Sequence, residues 1–102
     1  MYEGCPVELR ASKTYLMEEE VSDKVFSCRI KKYNENANDE ICLLLDNAEL
    51  PEISLDTEYE CRIWAAEGIR ICRGRILERY VNKKGKNLRF RIENGFYKNN
   101  LN

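Results

Sequence analysis

From Tyr59 to Ile92 apolar and polar residues alternate. Tyr59, Cys61, Ile63 and Ala65 are interleaved with Glu60, Arg62 and Trp64, and Leu88, Phe90 and Ile92 with Arg89 and Arg91. A period of two puts one set of side chains on each face of an extended chain, whereas a helix would need apolar residues three and four apart. The interruption at Ala66-Glu67-Gly68 reads as a hairpin. A three-residue loop with Gly68 in the left-handed conformation would pair Ile63 with Ile71 and keep both on one face. Gly74, inside the returning strand, is a candidate bulge. A second hairpin turns through Asn82 to Asn87 and leads into the strand that carries Leu88, Phe90 and Ile92.

The same reasoning runs through the first half. Pro6 to Arg10 alternates and reads as a short strand. In Val25 to Ile30 the residues Phe26, Cys28 and Ile30 share one face. Asn34 to Asp39 is a turn-rich polar loop. Ile41 to Leu45 is a continuous apolar run, which implies a strand buried on both faces, and Asn47 to Thr57, with Pro51, reads as a connection. Leu16 to Lys24 is acidic and fits either a helical turn or a loop. The tail from Gly95 is polar except for Phe96, Tyr97 and Leu101, and would dock or fray. About six short strands joined by hairpins and turns predict an all-β domain, a small antiparallel barrel in which closure removes exposed edges. With 102 residues and no linker composition, residues 1–102 are expected to form a single β-barrel domain. Its core should contain Phe26, Cys28, Ile30, Leu43, Ile63, Ile71, Leu88, Phe90 and Ile92.

Hydrophobic residues make up 43% of the chain and charged residues 34%. No apolar run is long enough to span a bilayer, so no membrane insertion is expected, and the N-terminus has no signal-like segment. Both point to a cytoplasmic location. The chain has no histidine, and its five cysteines form no closely spaced pair. A zinc site is therefore hard to assemble, no cofactor is indicated, and the thiols are expected to be reduced and mostly structural. The net charge of −1 conceals a division. Residues 1–61 carry six Lys or Arg against fifteen Asp or Glu, and residues 62–102 carry eleven against three, so the halves stand at −9 and +8. Either the second half meets an anionic partner, or acidic strands lie beside basic ones and neutralise them.

Residues 24 to 94 resemble, in the order of their elements, the small barrel domain that precedes PilZ in bacterial flagellar brake proteins. The strand Phe26 to Ile30, the apolar strand Ile41 to Leu45, the loop with Pro51, the segment Leu55 to Tyr59 and the Gly68 hairpin carry that likeness. PilZ domains bind cyclic di-GMP through R-x-x-x-R and a downstream [DN]-x-S-x-x-G motif. Arg75-Ile76-Leu77-Glu78-Arg79 matches the first as a string, and the second is missing. The resemblance implies a bacterial signalling or interaction module, with cyclic di-GMP a possible ligand.

Independently of that likeness, the residues favour binding over catalysis, since there is no histidine, phosphate loop or nucleophile motif. Cys72, between Arg70 and Arg73, is the one cysteine with basic residues close on both sides, the kind of neighbours that activate a thiolate. Arg70, Arg73, Arg75 and Arg79, with Trp64, Lys83 and Lys84, form the candidate binding set for a protein partner, an adjacent domain or an anionic ligand. The alternative partner is nucleic acid. There Tyr80, Phe90 or Trp64 would stack on bases while Lys83, Lys84, Lys86, Arg89 and Arg91 track phosphates.

Overall fold

The computed structural model describes residues 2–14, 24–34 and 39–98. Six strands follow in chain order: β1 (Pro6–Thr14), β2 (Val25–Asn34), β3 (Glu40–Leu45), β4 (Thr57–Ala65), β5 (Gly68–Asn82) and β6 (Gly85–Lys98), with one 3₁₀ turn at Leu50–Glu52. All pairings are antiparallel and close a barrel in the order β1-β2-β3-β6-β5-β4. The architecture is thus two three-stranded meanders joined by residues 46–56. That connection crosses one end of the barrel and lays β4 beside β1.

Alternation places the core. Val7, Leu9, Phe26, Cys28, Ile30, Ile41, Leu43, Leu45, Tyr59, Cys61, Ile63, Cys72, Ile76, Leu88, Phe90 and Ile92 point inward and form one cluster with Ile53 of the crossover. The Phe26 and Tyr59 rings meet edge to face at 6.4 Å, a favoured aromatic geometry. All nine residues expected in the core are buried. Ile71, however, lies outside the cluster, because its register partner is the outward-facing Arg62, while Ile63 opposes Arg70. The expected pairing of Ile63 with Ile71 is thereby corrected by one residue. Ala65 pairs with Gly68 directly, and Gly68, at φ +132°, closes the turn.

Three further expectations change in detail. Ile41 to Leu45 buries only one face fully. Ile41, Leu43 and Leu45 point in, and Cys42 and Leu44 are half-buried beside Asn87 and beside Arg29, Lys32 and Arg89 on the neighbouring strands, whose long stems suit such cover. β1 and β2 are longer than their alternating cores, and β6 continues through the expected tail to Lys98. The acidic stretch 15–23, residues 35–38 of the polar loop and residues 99–102 lie outside the described residues.

Gly74 keeps regular register with β4, opposite Tyr59, so it is not itself a bulge. Its role is a close crossing. An ideal Cβ at Gly74 would stand 1.8 Å from the Arg91 carbonyl oxygen, so β6 could not keep its path over a side chain there. The irregularities lie on the other side of β5, where register shifts occur at Ile71/Arg73, Arg73/Gly74 and Ile76/Glu78. At the last of these Leu77 is the additional residue, and the alternation of β5 reverses beyond it.

Substituting Gly74→Ala should cost about 3 kcal/mol, the upper range of overpacking, because the obstacle is backbone. Gly95→Ala, where a Cβ meets nothing within 4 Å, should stay within about 0.5 kcal/mol of the parent. Phe90→Ala should cost about 3–5 kcal/mol. Urea denaturation followed by circular dichroism measures all three, and a Gly74→Ala variant as stable as the parent would refute the crossing constraint.

Candidate functional site

The order β3-β6-β5-β4 seats the basic β5–β6 hairpin between two strands of the acidic half. The wall neutralises itself accordingly. Glu60 on β4 receives Arg62 Nε at 2.8 Å and Arg73 at 3.8 Å. Glu40 on β3 receives Arg89 at 3.2 Å and Arg91 at 4.0 Å, and Arg89 also reaches Glu78 at 3.1 Å. Those carboxylates, Glu40 foremost, raise the Arg89 pKa. Arg75 stands 3.6 Å from Glu93. Exposed pairs of this kind add little stability each, but they occupy the donors that an external anion would need.

The four arginines singled out in the sequence do not converge. Arg73 and Arg75 point outward from the middle of β5, opposite Glu60 and Glu58. Arg79, beyond the extra residue Leu77, pairs with the inward-facing Leu88 and donates from its guanidinium to the Ile53 carbonyl of the crossover. Without Leu77 as an insertion, Arg75 and Arg79 would share a face as the R-x-x-x-R string suggests. Arg70 opposes Ile63 on the inward side, at the other end of the barrel. Nine steps along the strand separate it from Arg79, roughly 30 Å.

The two barrel ends differ. At the crossover end Lys86 donates to the Ala48 carbonyl at 2.8 Å and pairs with Glu49 at 2.6 Å, Tyr59 accepts from the Ser54 N–H at 3.0 Å, and Lys24 pairs with Glu52. This end is sealed. Beyond it the β5–β6 turn presents Lys83 and Lys84, both exposed, next to Val81, which is 69% exposed. Asn82 shapes this turn, since its Oδ1 accepts from the Lys84 N–H and from the Asn87 side-chain amide. At the opposite end residues 2–5 make a turn, with Cys5 N–H on the Tyr2 carbonyl and Gly4 at φ +83° in the third position, as a type II turn requires. The turn is held to β2 by Gly4 N–H to Ile30 O and Ile30 N–H to Cys5 O. Between it and the β4–β5 hairpin lies a cleft of about 330 Å³.

Trp64, 43% exposed, points outward as expected from its place beside Glu60 and Arg62, and it belongs to the cleft end, remote from Lys83 and Lys84. Of the proposed stacking residues, Phe90 is fully buried and unavailable, and Tyr80 is half-buried. Cys72 faces Cys61 across the β4–β5 pair, deep in the core, so its flanking arginines do not expose it for chemistry. The residues that sequence reasoning missed are Tyr2, Glu3, Cys5 and Glu67 around the cleft, whereas Lys86, expected to track phosphates, instead holds the seal. Only tertiary pairing brings them together, and no local pattern announces it.

No protein-family model, curated protein or solved structure matches this chain. Among the described residues no cluster of His, Cys, Asp or Glu is arranged to hold a metal ion, and no helix is long and apolar enough to cross a membrane.

All five thiols are free. Burial, and secondarily Asp46, pushes the Cys28 thiol up to about 12, and the Cys61 thiol is raised by the hydrogen bond it shares with Cys72 and by burial. A raised folded-state pKa means that stability is fully present below the unfolded thiol value, about 8.5, and is lost as pH rises toward the folded value. The urea midpoint should therefore fall between about pH 8.5 and pH 12, and less steeply in Cys28→Ala. Under native conditions an aromatic disulfide reagent should titrate the half-buried Cys5 and Cys42 and reach Cys28, Cys61 and Cys72 only on unfolding. Rapid reaction of all five would contradict the packing.

Proposed function

We propose that this chain is a non-catalytic interaction module that docks an acidic protein surface through the tip of its β5–β6 hairpin. One observation carries the reading. Lys83 and Lys84 have no carboxylate partner among the described residues, whereas Arg62, Arg73, Arg75, Arg89 and Arg91 are each placed against glutamates of the barrel wall. Beside the two lysines stands Val81, the most exposed large hydrophobic residue among those described. Two free ammonium groups with an adjacent aliphatic contact match an acidic surface that carries an apolar anchor. A filled barrel interior, buried thiols and the lack of histidine support a binding role over a catalytic one.

The same pairing weighs on the other readings. A cyclic di-GMP receptor that resembles PilZ would use Arg75 and Arg79, yet the one stands against Glu93 and the other holds the crossover. Nucleic-acid binding along the wall would have to compete with Glu40 for Arg89 and Arg91, and it lacks Phe90 as a platform.

A photo-crosslinking amino acid at position 81, introduced in the cells from which the protein comes, tests the proposal. A discrete protein adduct is expected at position 81, lost in a Lys83→Glu/Lys84→Glu double variant and retained when Arg75 is replaced by Ala. An adduct destroyed by nuclease would favour nucleic acid instead. No adduct, or one indifferent to the lysines, would remove the hairpin tip as the docking surface.

A further inference from the structure

The end of the barrel opposite the crossover offers a second site, independent of the hairpin tip. The cleft of about 330 Å³ falls at the small end of the range for small-molecule pockets. Its walls are the N-terminal turn, with Tyr2, Glu3 and Cys5, and the β4–β5 hairpin, with Ala66, Glu67 and Arg70. Arg70 is the decisive residue. Every other arginine of residues 62–102 has an ion pair or a carbonyl partner, but Arg70, half-buried at the cleft, makes no hydrogen bond or ion pair among the described residues. The corresponding position at the sealed end makes the contrast plain. There the inward-side cations Arg79 and Lys86 are used up on the carbonyls of Ile53 and Ala48.

A half-buried guanidinium without a counter-ion has lost part of its hydration, and a carboxylate would restore the lost interactions through two parallel hydrogen bonds. The remaining lining sets what is attached to that carboxylate. Glu67, three residues before Arg70 on the same hairpin, puts a carboxylate in the same cleft as the guanidinium, which disfavours phosphate and other multiply charged anions and accepts an ammonium group. The far wall is held to β2, where Glu3 accepts from the Tyr33 N–H at 3.4 Å and Tyr33 packs its ring against Tyr2 at 5.8 Å. Cys5 and Ala66 supply the small apolar surface between the charges. We infer that the cleft at the barrel end opposite the crossover binds a small zwitterion of the α-amino-acid type, with its carboxylate on Arg70 and its ammonium toward Glu67.

Nuclear magnetic resonance titration of the whole chain with glycine, L-alanine and L-leucine tests the site. At least one should give saturable shifts confined to residues 2–5 and 65–70, with acetate and inorganic phosphate each at least about tenfold weaker. Losing a hydrogen bond to a charged group corresponds to about tenfold or more in affinity, and Arg70→Met should show it. Glu67→Gln should weaken the amino acids and leave acetate unchanged or tighter. Because Arg70→Met could disturb the hairpin, Arg70→Lys, which keeps the charge but not the fork, is the second variant and should also lose affinity. No saturable shift at these residues up to about 20 mM amino acid would overturn the inference. So would phosphate binding as tightly as the amino acids, or affinities indifferent to both Arg70 variants. Shifts at residues 81–84 would concern the hairpin tip alone, so the two sites fail separately.

Discussion

The barrel depends on how residues 46–56 cross its end. A meander of three strands exposes two edges, and β4 could in principle have paired with β3, its predecessor. The crossover carries it to the far edge, beside β1, and leaves a gap that only a hairpin as long as β5–β6 can close. What holds the crossing is partly apolar, Ile53 being fully buried as a plug, and partly directional. Arg79 and Lys86, both from the closing hairpin, donate to crossover carbonyls, and Tyr59 accepts from Ser54. The hairpin that completes the wall thus also supplies the donors that satisfy the buried backbone of the lid. Closure and sealing are one event.

That coupling accounts for the charge division along the chain. Since the basic hairpin must lie between β3 and β4, its outward faces meet Glu40 on one side and Glu60 on the other, each of which takes two guanidinium groups. Segregated charge in sequence becomes alternating charge in space. Such an arrangement also favours the correct strand order, because a slipped or reversed hairpin would set like charges together. Individually the pairs are worth little in high dielectric, so their larger consequence is selective. They withdraw most of the arginines of residues 62–102 from outside contact, and leave Lys83 and Lys84 beyond the seal and Arg70 by the cleft without a carboxylate among the described residues.

Legibility follows from the same physics. The strands, both hairpins and the core faces were visible because a period of two is local, and Phe26, Cys28, Ile63, Phe90 and their neighbours were placed inward from alternation alone. The failures occur where alternation is broken by one residue. Reading β5 as an unbroken strand puts Arg75 and Arg79 on one face, and the insertion at Leu77 separates them. Moving the β4–β5 pairing by one residue takes Ile71 away from Ile63 and brings Arg70 there instead. Gly74 was recognisable as a special position, but its reason lies in the Arg91 carbonyl of another strand. A one-residue change in register reverses every side chain beyond it, so motif strings within strands are a poor guide to which residues meet.

The three fates of equivalent arginines on β5 show how strand position decides function more than residue type. Arg73, in mid-wall, faces a neighbouring strand and is matched by its carboxylate. Arg79, near an end that a connection covers, finds backbone carbonyls and becomes structural. Arg70, at an end where the described connections beside it are a two-residue hairpin and a four-residue N-terminal turn, finds neither among the described residues. In a closed barrel whose interior is filled by its own side chains, an inward-side donor can meet a ligand only at the rims. The length of the loops at each rim then determines whether such a donor is consumed by the fold or left for a ligand, and in this chain the long crossover consumes two at one end while the short turns spare one at the other.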